Sequence, residues 1–285
     1  MSVFTDSRQE TAFQAAYDAV LAQWPAATEA LDVPTPYGST RVHRCGPPDG
    51  KPLVLLHGGG ATSTAWFAVA SALADRYRVH APDLVGDAGR SLPSGRGVRR
   101  PDDLLTWLDA VLDELGLDRT ALGGHSYGGW IALTYALARP DRVERLALLE
   151  PSSCFAPMAP AYLLRGLPVL LRNTPGRLRA LYDWETGGRA LDPAWLRLQL
   201  ASTGGRWKNP VLPRRPKASR LATLGVPTLV VAGGRSRSQD PDRVRRVAQE
   251  TLPDVTTVTA PEASHHTVPT EDADRLAAAI RAHLG

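Results

Sequence analysis

Several features that would place a protein in a special class are scarce in this sequence. It has two cysteines, Cys45 and Cys154, at no spacing typical of a metal or redox site, so we expect two free thiols. Only three of its 33 basic residues are lysines, at positions 51, 208 and 217. The densest arginine pairs stand beside prolines, without interleaved aromatic residues or a nucleic-acid-binding motif. We therefore expect no nucleic-acid partner.

Long apolar runs are also missing. No segment approaches the roughly 18 apolar residues that would suggest a membrane span. The first ten residues, MSVFTDSRQE, are polar and contain no apolar stretch of signal-peptide length. We expect a soluble, cytoplasmic protein with no membrane partner, and a homodimer is left open. The 285 residues, 43% hydrophobic and 22% charged, allow one α/β domain with an insertion or two domains.

Short apolar strands and amphipathic helices alternate through most of the chain. After prolines 25, 34 and 36, which predict a connector, a short extended segment is expected around 37–43. Further strands are predicted at 52–56, 78–81, 120–123, 145–149, 227–232 and 255–260. Helices are predicted at 8–24, 65–74, 102–115, 126–138, 241–252 and 271–284. Continuous apolar strands separated by helices predict an α/β fold with a mostly parallel sheet covered on both faces.

Residues 152–224 interrupt this alternation with leucine-rich helical pieces and many Pro and Gly breaks. We predict a helical cap, inserted after strand six, above the edge where open α/β sheets hold their ligands. Residues 1–151 and 225–285 would then form the core domain. The cap's aromatic residues would line a pocket or fill the cap's own small core; they are Tyr162, Tyr182, Trp184, Trp195 and Trp207.

The sequence ALGGHSYGGW, residues 121–130, contains the pattern G-x-S-x-G between a predicted strand and a predicted helix. In that context the pattern predicts a nucleophile elbow, whose tip is Ser126. A serine on so sharp a turn crowds the residues two before and two after it. Gly124 and Gly128 leave that space free, so Ser126 is the predicted nucleophile. The alternative is an ordinary glycine-rich turn.

A second glycine-rich loop, His57-Gly58-Gly59-Gly60, follows the buried strand LVLL. It predicts an oxyanion hole, in which the backbone N–H of Gly59 pairs with the N–H of Tyr127. A phosphate cradle is disfavoured because the loop lacks the lysine of a P-loop and the spacing of a dinucleotide fingerprint. We expect His57 to fix the loop through hydrogen bonds.

Two histidines follow the last predicted strand, in APEASHHTVPTED, residues 260–272. His265 is the predicted general base, on a loop that returns over the elbow, and His266 would face the other way. No cluster of Cys or carboxylate residues beside them suggests a metal site. We therefore expect neither a metal nor a cofactor.

Together these motifs resemble the α/β-hydrolase family, in particular the small bacterial carboxylesterases related to naproxen esterase. The resemblance rests on LHGGG, PDLVGDAGRS (residues 82–91), GHSYGG, the position of the cap, and ASHH. It implies a serine hydrolase that cleaves carboxylic esters of small, mostly apolar substrates through an acyl-enzyme. A thioesterase, lactonase or acyl-transferring enzyme, and a ligand-binding protein on the same scaffold, stay open. Haloalkane dehalogenases and epoxide hydrolases carry an aspartate at the elbow, and Ser126 argues against both.

The acid of the implied catalytic triad is missing from its usual place. The family carries it three residues after the glycine that ends the next-to-last strand, where this chain has Ser236. Asp240 is nearby, but Asp followed by Pro241 is typical of a helix N-cap. Glu150 ends the strand LALLE and keeps the chain order nucleophile, acid, base, so Glu150 is the predicted acid. A dyad without an acid is the third alternative.

Overall fold

A mostly parallel sheet forms the centre of the molecule. The computed structural model describes residue 4 and residues 6–205, 211–271 and 273–285. Within these residues the sheet has nine strands: β1 (Glu29–Thr35), β2 (Gly38–Cys45), β3 (Lys51–Leu56), β4 (Tyr77–Pro82), β5 (Leu92–Pro93), β6 (Thr120–His125), β7 (Val143–Leu149), β8 (Thr228–Gly233) and β9 (Val255–Ala260). All pairings among β3, β4, β6, β7, β8 and β9 are parallel, as the alternation predicted.

Helices cover both faces of this sheet. In chain order, the α-helices of the described residues are α1 (Ser7–Leu21), α2 (Phe67–Leu73), α3 (Pro101–Glu114), α4 (Tyr127–Ala138), α5 (Pro160–Leu171), α6 (Pro175–Glu185), α7 (Pro193–Ala201), α8 (Ala218–Leu221), α9 (Pro241–Thr251) and α10 (Ala273–Leu284). Helices α2, α3, α4, α9 and α10 pack on the sheet. Side chains in β3 alternate between the two faces. Val54 and Leu56 join the core under α3, α4 and α9, whereas Leu53 and Leu55 join the core under α2 and α10.

The N-terminal edge of the sheet differs from its prediction. The proline-rich connector before residue 37 instead contains β1, which pairs antiparallel with β2 as a hairpin. Pro34 lies inside β1, opposite Ser39. Proline is tolerated there because β1 is an edge strand, where a missing N–H costs no hydrogen bond within the sheet.

The strand order brings the loops that carry Ser126 and Glu150 to one edge of the sheet. The order is β1-β2-β4-β3-β6-β7-β8-β9, so β4 and β6 lie on opposite sides of β3. Ligands of open α/β sheets bind at such a switch point, outside the carboxyl ends of the strands. His125 pairs with Leu149 across β6 and β7. Ser126 and Glu150 therefore follow two neighbouring strand ends.

Between β7 and β8 the described residues form the four helices α5 to α8. Helix α7 packs against α1 through Trp195 and Leu198, which share a buried cluster with Phe13 and Tyr17. Trp207, one of the aromatic residues predicted for this segment, lies outside the described residues. No helix in the described part of the chain is long and apolar enough to cross a lipid bilayer.

Close backbone packing beneath the elbow gives a test of the fold. A Cβ atom built at Gly128 would overlap the carbonyl oxygen of Leu56, which is backbone and cannot rotate away. We expect Gly128→Ala to lower the free energy of unfolding by about 3 kcal/mol or more, at or above the usual cost of overpacking. Urea unfolding measures this change.

The matched control is Gly166→Ala, in helix α5, where a built Cβ meets no atom within 4 Å. It should leave stability unchanged or raise it by up to about 1 kcal/mol, because alanine has the higher helix propensity. Equal stability of the Gly128→Ala variant and the wild type would contradict the packing described here.

Candidate active site

Ser126 stands alone between the end of β6 and the start of α4, at φ 53° and ψ −113°. Positive φ is strained for a serine, and such strain persists only where the surroundings enforce it. The Ser126 N–H donates to the Leu149 oxygen at 3.0 Å. A Cβ at Gly124 would overlap the backbone of Gly128, so both glycines are required by the turn.

The hydroxyl of Ser126 faces a buried histidine. Ser126 Oγ lies 2.9 Å from His265 Nε2, and His265 is only 2% exposed. Ser126 Oγ also lies 2.9 Å from the hydroxyl of Ser152, which the sequence analysis did not single out. His265 sits on the loop after β9, where the base was predicted, and its Nε2 can accept the serine proton.

The other ring nitrogen of His265 faces a carboxylate. His265 Nδ1 lies 3.1 Å from Glu150 Oε2 and 2.9 Å from Ser238 Oγ. A proton on Nδ1 that donates towards Glu150 leaves the Nε2 lone pair free to accept from Ser126. This is the arrangement that a serine nucleophile and its base need.

Glu150 is fully buried at the end of β7, with φ 46°. Its carboxylate accepts from the Gly233 N–H at 2.7 Å, from Ser236 Oγ at 2.8 Å and from Ser238 Oγ at 3.4 Å, besides His265. A buried carboxylate is costly unless several donors hold it. These contacts come from two loops, one after β8 and one after β9, and give the buried carboxylate the donors it needs.

The loop after β8 takes part in this site without supplying its acid. Ser236, at the position where the family usually has the acid, donates to the Glu150 carboxylate instead. Asp240 is the N-cap of α9, and it accepts from the N–H groups of Asp242 and Arg243 at 3.0 and 3.1 Å. The structure brings Ser126, His265 and Glu150 together and assigns Asp240 to a helix end.

The glycine loop after β3 is held by the ring of His57. The Leu84 N–H donates to His57 Nε2 at 2.9 Å, so Nδ1 carries the proton and donates to the Gly58 oxygen at 2.8 Å. The Gly60 N–H donates to Asp87 at 2.8 Å, and burial raises the pKa of that carboxyl. These contacts give His57 the loop-fixing hydrogen bonds expected from the sequence.

Gly59 and Tyr127, the predicted oxyanion-hole residues, lie side by side. A Cβ built at Gly59 would stand 3.5 Å from the Cβ of Tyr127. Tyr127 is the first residue of α4, whose first-turn N–H groups have no acceptor within the helix. The helix N-terminus also favours negative charge beside Ser126.

A small cavity of about 30 Å³ lies above the elbow. Its lining includes Gly59 and Ser126 from the core, Tyr182 and Trp195 from helices α6 and α7, and His266. One water needs roughly 10–15 Å³ when volume is measured in this way. The cavity therefore has room for about two waters.

The other aromatic residues predicted to line a pocket lie one layer further out. The Tyr162 hydroxyl is 3.2 Å from His266 Nε2, and its ring centre is 6.0 Å from that of His265. The Trp184 ring contacts the Tyr162 ring at 6.4 Å. His266 thus pairs with Tyr162 of α5, and burial lowers the pKa of His266 so that its ring stays neutral.

Two residues that the sequence analysis missed hold the loop of His265. His125 Nε2 lies 2.7 Å from the His265 carbonyl oxygen, and burial lowers the pKa of His125 to about 3, so a neutral ring donates this bond. Glu185, the last residue of α6, is 1% exposed and accepts from the His265 N–H and Ser264 Oγ, both at 2.8 Å. His125, which precedes Ser126, and Glu185, at the end of α6, therefore fix the loop of His265 from two sides.

The sequence of this chain is similar to those of known proteins. The model of the alpha/beta hydrolase family matches residues 53–279. Carboxylesterase YbfK of Bacillus subtilis is 37% identical over 148 residues, 52% of this chain and 50% of that protein. Haloalkane dehalogenase 2 of Mycobacterium tuberculosis is 32% identical over 265 residues, 86% of this chain and 92% of that protein.

Solved structures resemble the whole chain. Carboxylesterase CesB (YbfK) from Bacillus subtilis superposes with a TM-score of 0.90 at 26% identity, covering 97% of this chain and 98% of its own. Naproxen esterase from the same organism superposes with a TM-score of 0.89 at 25% identity, covering 99% and 100%.

The contact between Glu185 and the histidine loop can be tested without a substrate. Replacing Glu185 with glutamine removes the charge that accepts the His265 N–H, and hydrogen bonds to a charged group are worth about 1.5–3 kcal/mol. We expect hydrogen exchange at the His265 amide to speed up by about tenfold or more. Glu262→Gln, a change of an exposed carboxylate on the same loop, is the control and should leave that rate within about twofold. Equal hydrogen-exchange rates at the His265 amide in the two variants would refute the contact between Glu185 and His265.

Proposed function

This chain belongs to the α/β-hydrolase family, and we propose that it is a serine hydrolase that cleaves carboxylic esters of small, mostly apolar substrates. The observation that carries the proposal is the line of contacts from Ser126 Oγ to His265 Nε2, at 2.9 Å, and from His265 Nδ1 to the buried Glu150, at 3.1 Å. Its likeness to carboxylesterases over the whole fold supports the choice of ester substrates.

In the first half of the reaction, Ser126 Oγ attacks the ester carbonyl and its proton moves to His265 Nε2. The tetrahedral intermediate then collapses, and the leaving alkoxide takes that proton and departs as the alcohol. In the second half, His265 takes a proton from a water that attacks the acyl-enzyme. Ser126 leaves with the proton returned from Nε2, and the carboxylic acid is released.

Glu150 acts through His265 rather than on the substrate. Its carboxylate holds the imidazole with the proton on Nδ1 and stabilises the imidazolium that forms during each half-reaction. Ser236 and Ser238 keep the carboxylate in place through Oε2, and the Gly233 N–H holds Oε1. The loop after β8, where the family usually has its acid, therefore positions Glu150 instead.

The N–H groups of Gly59 and Tyr127 are proposed to bind the oxyanion of the tetrahedral intermediate. Support comes from their position beside each other and beside Ser126, with Tyr127 at the N-terminus of α4. Fixed donors of this kind stabilise charge only as it develops, which is why they lower the barrier. The mechanism uses neither a metal nor a cofactor.

The small cavity and its lining suggest the substrate class. Ala61, Ala65 and Pro269 supply apolar wall beside the nucleophile, and Tyr182 and Trp195 come from the cap. We propose that residues 152–224 act as a cap that admits short acyl groups. The elbow serine argues against the aspartate chemistry of the dehalogenase relative.

Removing the nucleophile or the base should abolish turnover. We expect Ser126→Ala and His265→Ala each to lower kcat on a short-chain aryl ester by up to about 10⁶-fold, because the two residues act as one unit. The control is Ser71→Ala, a serine on the surface of α2, which should keep wild-type kcat. Turnover by the Ser126→Ala variant at more than a few per cent of the wild type would exclude Ser126 as the nucleophile.

Running aryl esters, lactones and acyl thioesters in parallel identifies the preferred substrate class.

The acid is tested by comparing two isosteric changes. Glu150→Gln should lower kcat by up to about 10⁴-fold, since the amide can no longer hold and compensate the imidazolium. Asp240→Asn should leave kcat near the wild-type value, because asparagine caps a helix about as well as aspartate. A loss confined to the Asp240 variant would assign the acid to the loop after β8 instead.

A further inference from the structure

Helix α5 carries an unusual number of exposed leucines. Among the described residues, Leu164, Leu170 and Leu171 are 71%, 73% and 76% exposed, and Leu163 and Leu167 are about half exposed. No residue of α5 is fully buried. A contiguous exposed apolar patch on a soluble protein usually marks a surface that something else covers. These five leucines are called the outward leucine face below.

The geometry of an α-helix places these leucines on one side. At 100° per residue, positions 163, 164, 167, 170 and 171 fall within an arc of about 120°. Tyr162 and Val169 lie on the other side and make the contacts with the protein, Tyr162 with His266 and Val169 with the cluster between α1 and α7. A surface helix normally turns its apolar stripe to the core. Helix α5 turns it away.

The charges around the outward leucine face are mainly positive. Residues 151–183 contain four arginines, at positions 165, 172, 177 and 179, and one acidic residue, Asp183, which pairs with Arg179 at 2.8 Å. All four arginines are exposed. An exposed leucine stripe flanked by arginines is typical of a helix that lies in the plane of a lipid surface. Arginines near such a surface are attracted to anionic headgroups.

A second copy of the chain fits this face less well. Twofold pairing of α5 with itself would bring the arginines of both copies together, with only Asp183 of each copy to offset them. Twelve residues of helix span only about 18 Å. A strip of that length and roughly 10 Å width is far below the about 800 Å² per partner of a stable interface.

We propose that the outward leucine face docks the protein on an anionic lipid surface. The leucines enter the boundary between headgroups and acyl chains, and the arginines contact the headgroups. A peripheral contact of this kind needs no long apolar run, so it replaces the expectation of no membrane partner. Because Tyr162 on the same helix contacts His266 in the cavity wall, the docked helix lies directly above the candidate active site.

Flotation with lipid vesicles tests this proposal. The full-length protein is mixed with vesicles of pure phosphatidylcholine, or with 30% phosphatidylglycerol added, at low and at high salt. We expect binding to the anionic vesicles, at least tenfold weaker binding to neutral ones, and weaker binding at high salt. Replacing Leu164, Leu170 and Leu171 with glutamine, which keeps helix propensity, should reduce binding to anionic vesicles at least tenfold.

The matched control changes Leu92 and Leu212 to glutamine, since both are as exposed as those leucines but lie outside α5. This variant should bind like the wild type. Ser126→Ala should also bind like the wild type, so a failed hydrolase proposal leaves this result untouched. No binding to either vesicle, equal binding to both, or full binding by the triple variant would overturn the proposal. The proposal would also be overturned if the wild-type protein were a dimer and the triple variant a monomer.

Discussion

Glu150 places a carboxylate with no solvent exposure where three loops of the sheet edge meet. An unpaired charge there would be untenable, so the Gly233 N–H, the hydroxyls of Ser236 and Ser238, and the ring of His265 must all converge on it. The loops after β8 and β9 are thereby tied to the end of β7. Together with Ser238, Glu150 orients the ring of His265 so that Nε2 reaches Ser126.

The parallel sheet explains why such distant residues meet. Strands β6, β7, β8 and β9 run side by side in one direction, so the residues that follow them emerge at the same edge. Glu185 adds a contact from outside the sheet, because the end of α6 reaches the backbone of His265. Helix α6 thus holds the histidine loop as well as forming a wall of the cavity, and a movement of α6 would displace His265.

Structural features that depend on a short stretch of sequence could be predicted. Contacts that depend on how distant segments pack together could not. The alternation of apolar strands and helices identified the parallel sheet, and the glycines around Ser126 reported the steric demand of its turn. The hairpin of β1 was misread because prolines suit an edge strand as well as a connector. Glu185 was missed because its contact with His265 joins positions 80 residues apart through the docking of α6. A buried glutamate at a helix end has no local signature.

Labelling with a fluorophosphonate probe, followed by peptide mapping, tests the central claim most directly. The probe reacts with a serine that a neighbouring base has activated, so its adduct reports the nucleophile and its rate reports the histidine and the carboxylate behind it. We expect one adduct per chain, on Ser126, formed much more slowly when Glu150 is replaced by glutamine. The absence of an adduct, an adduct on another residue, or an unchanged rate without the carboxylate would contradict it.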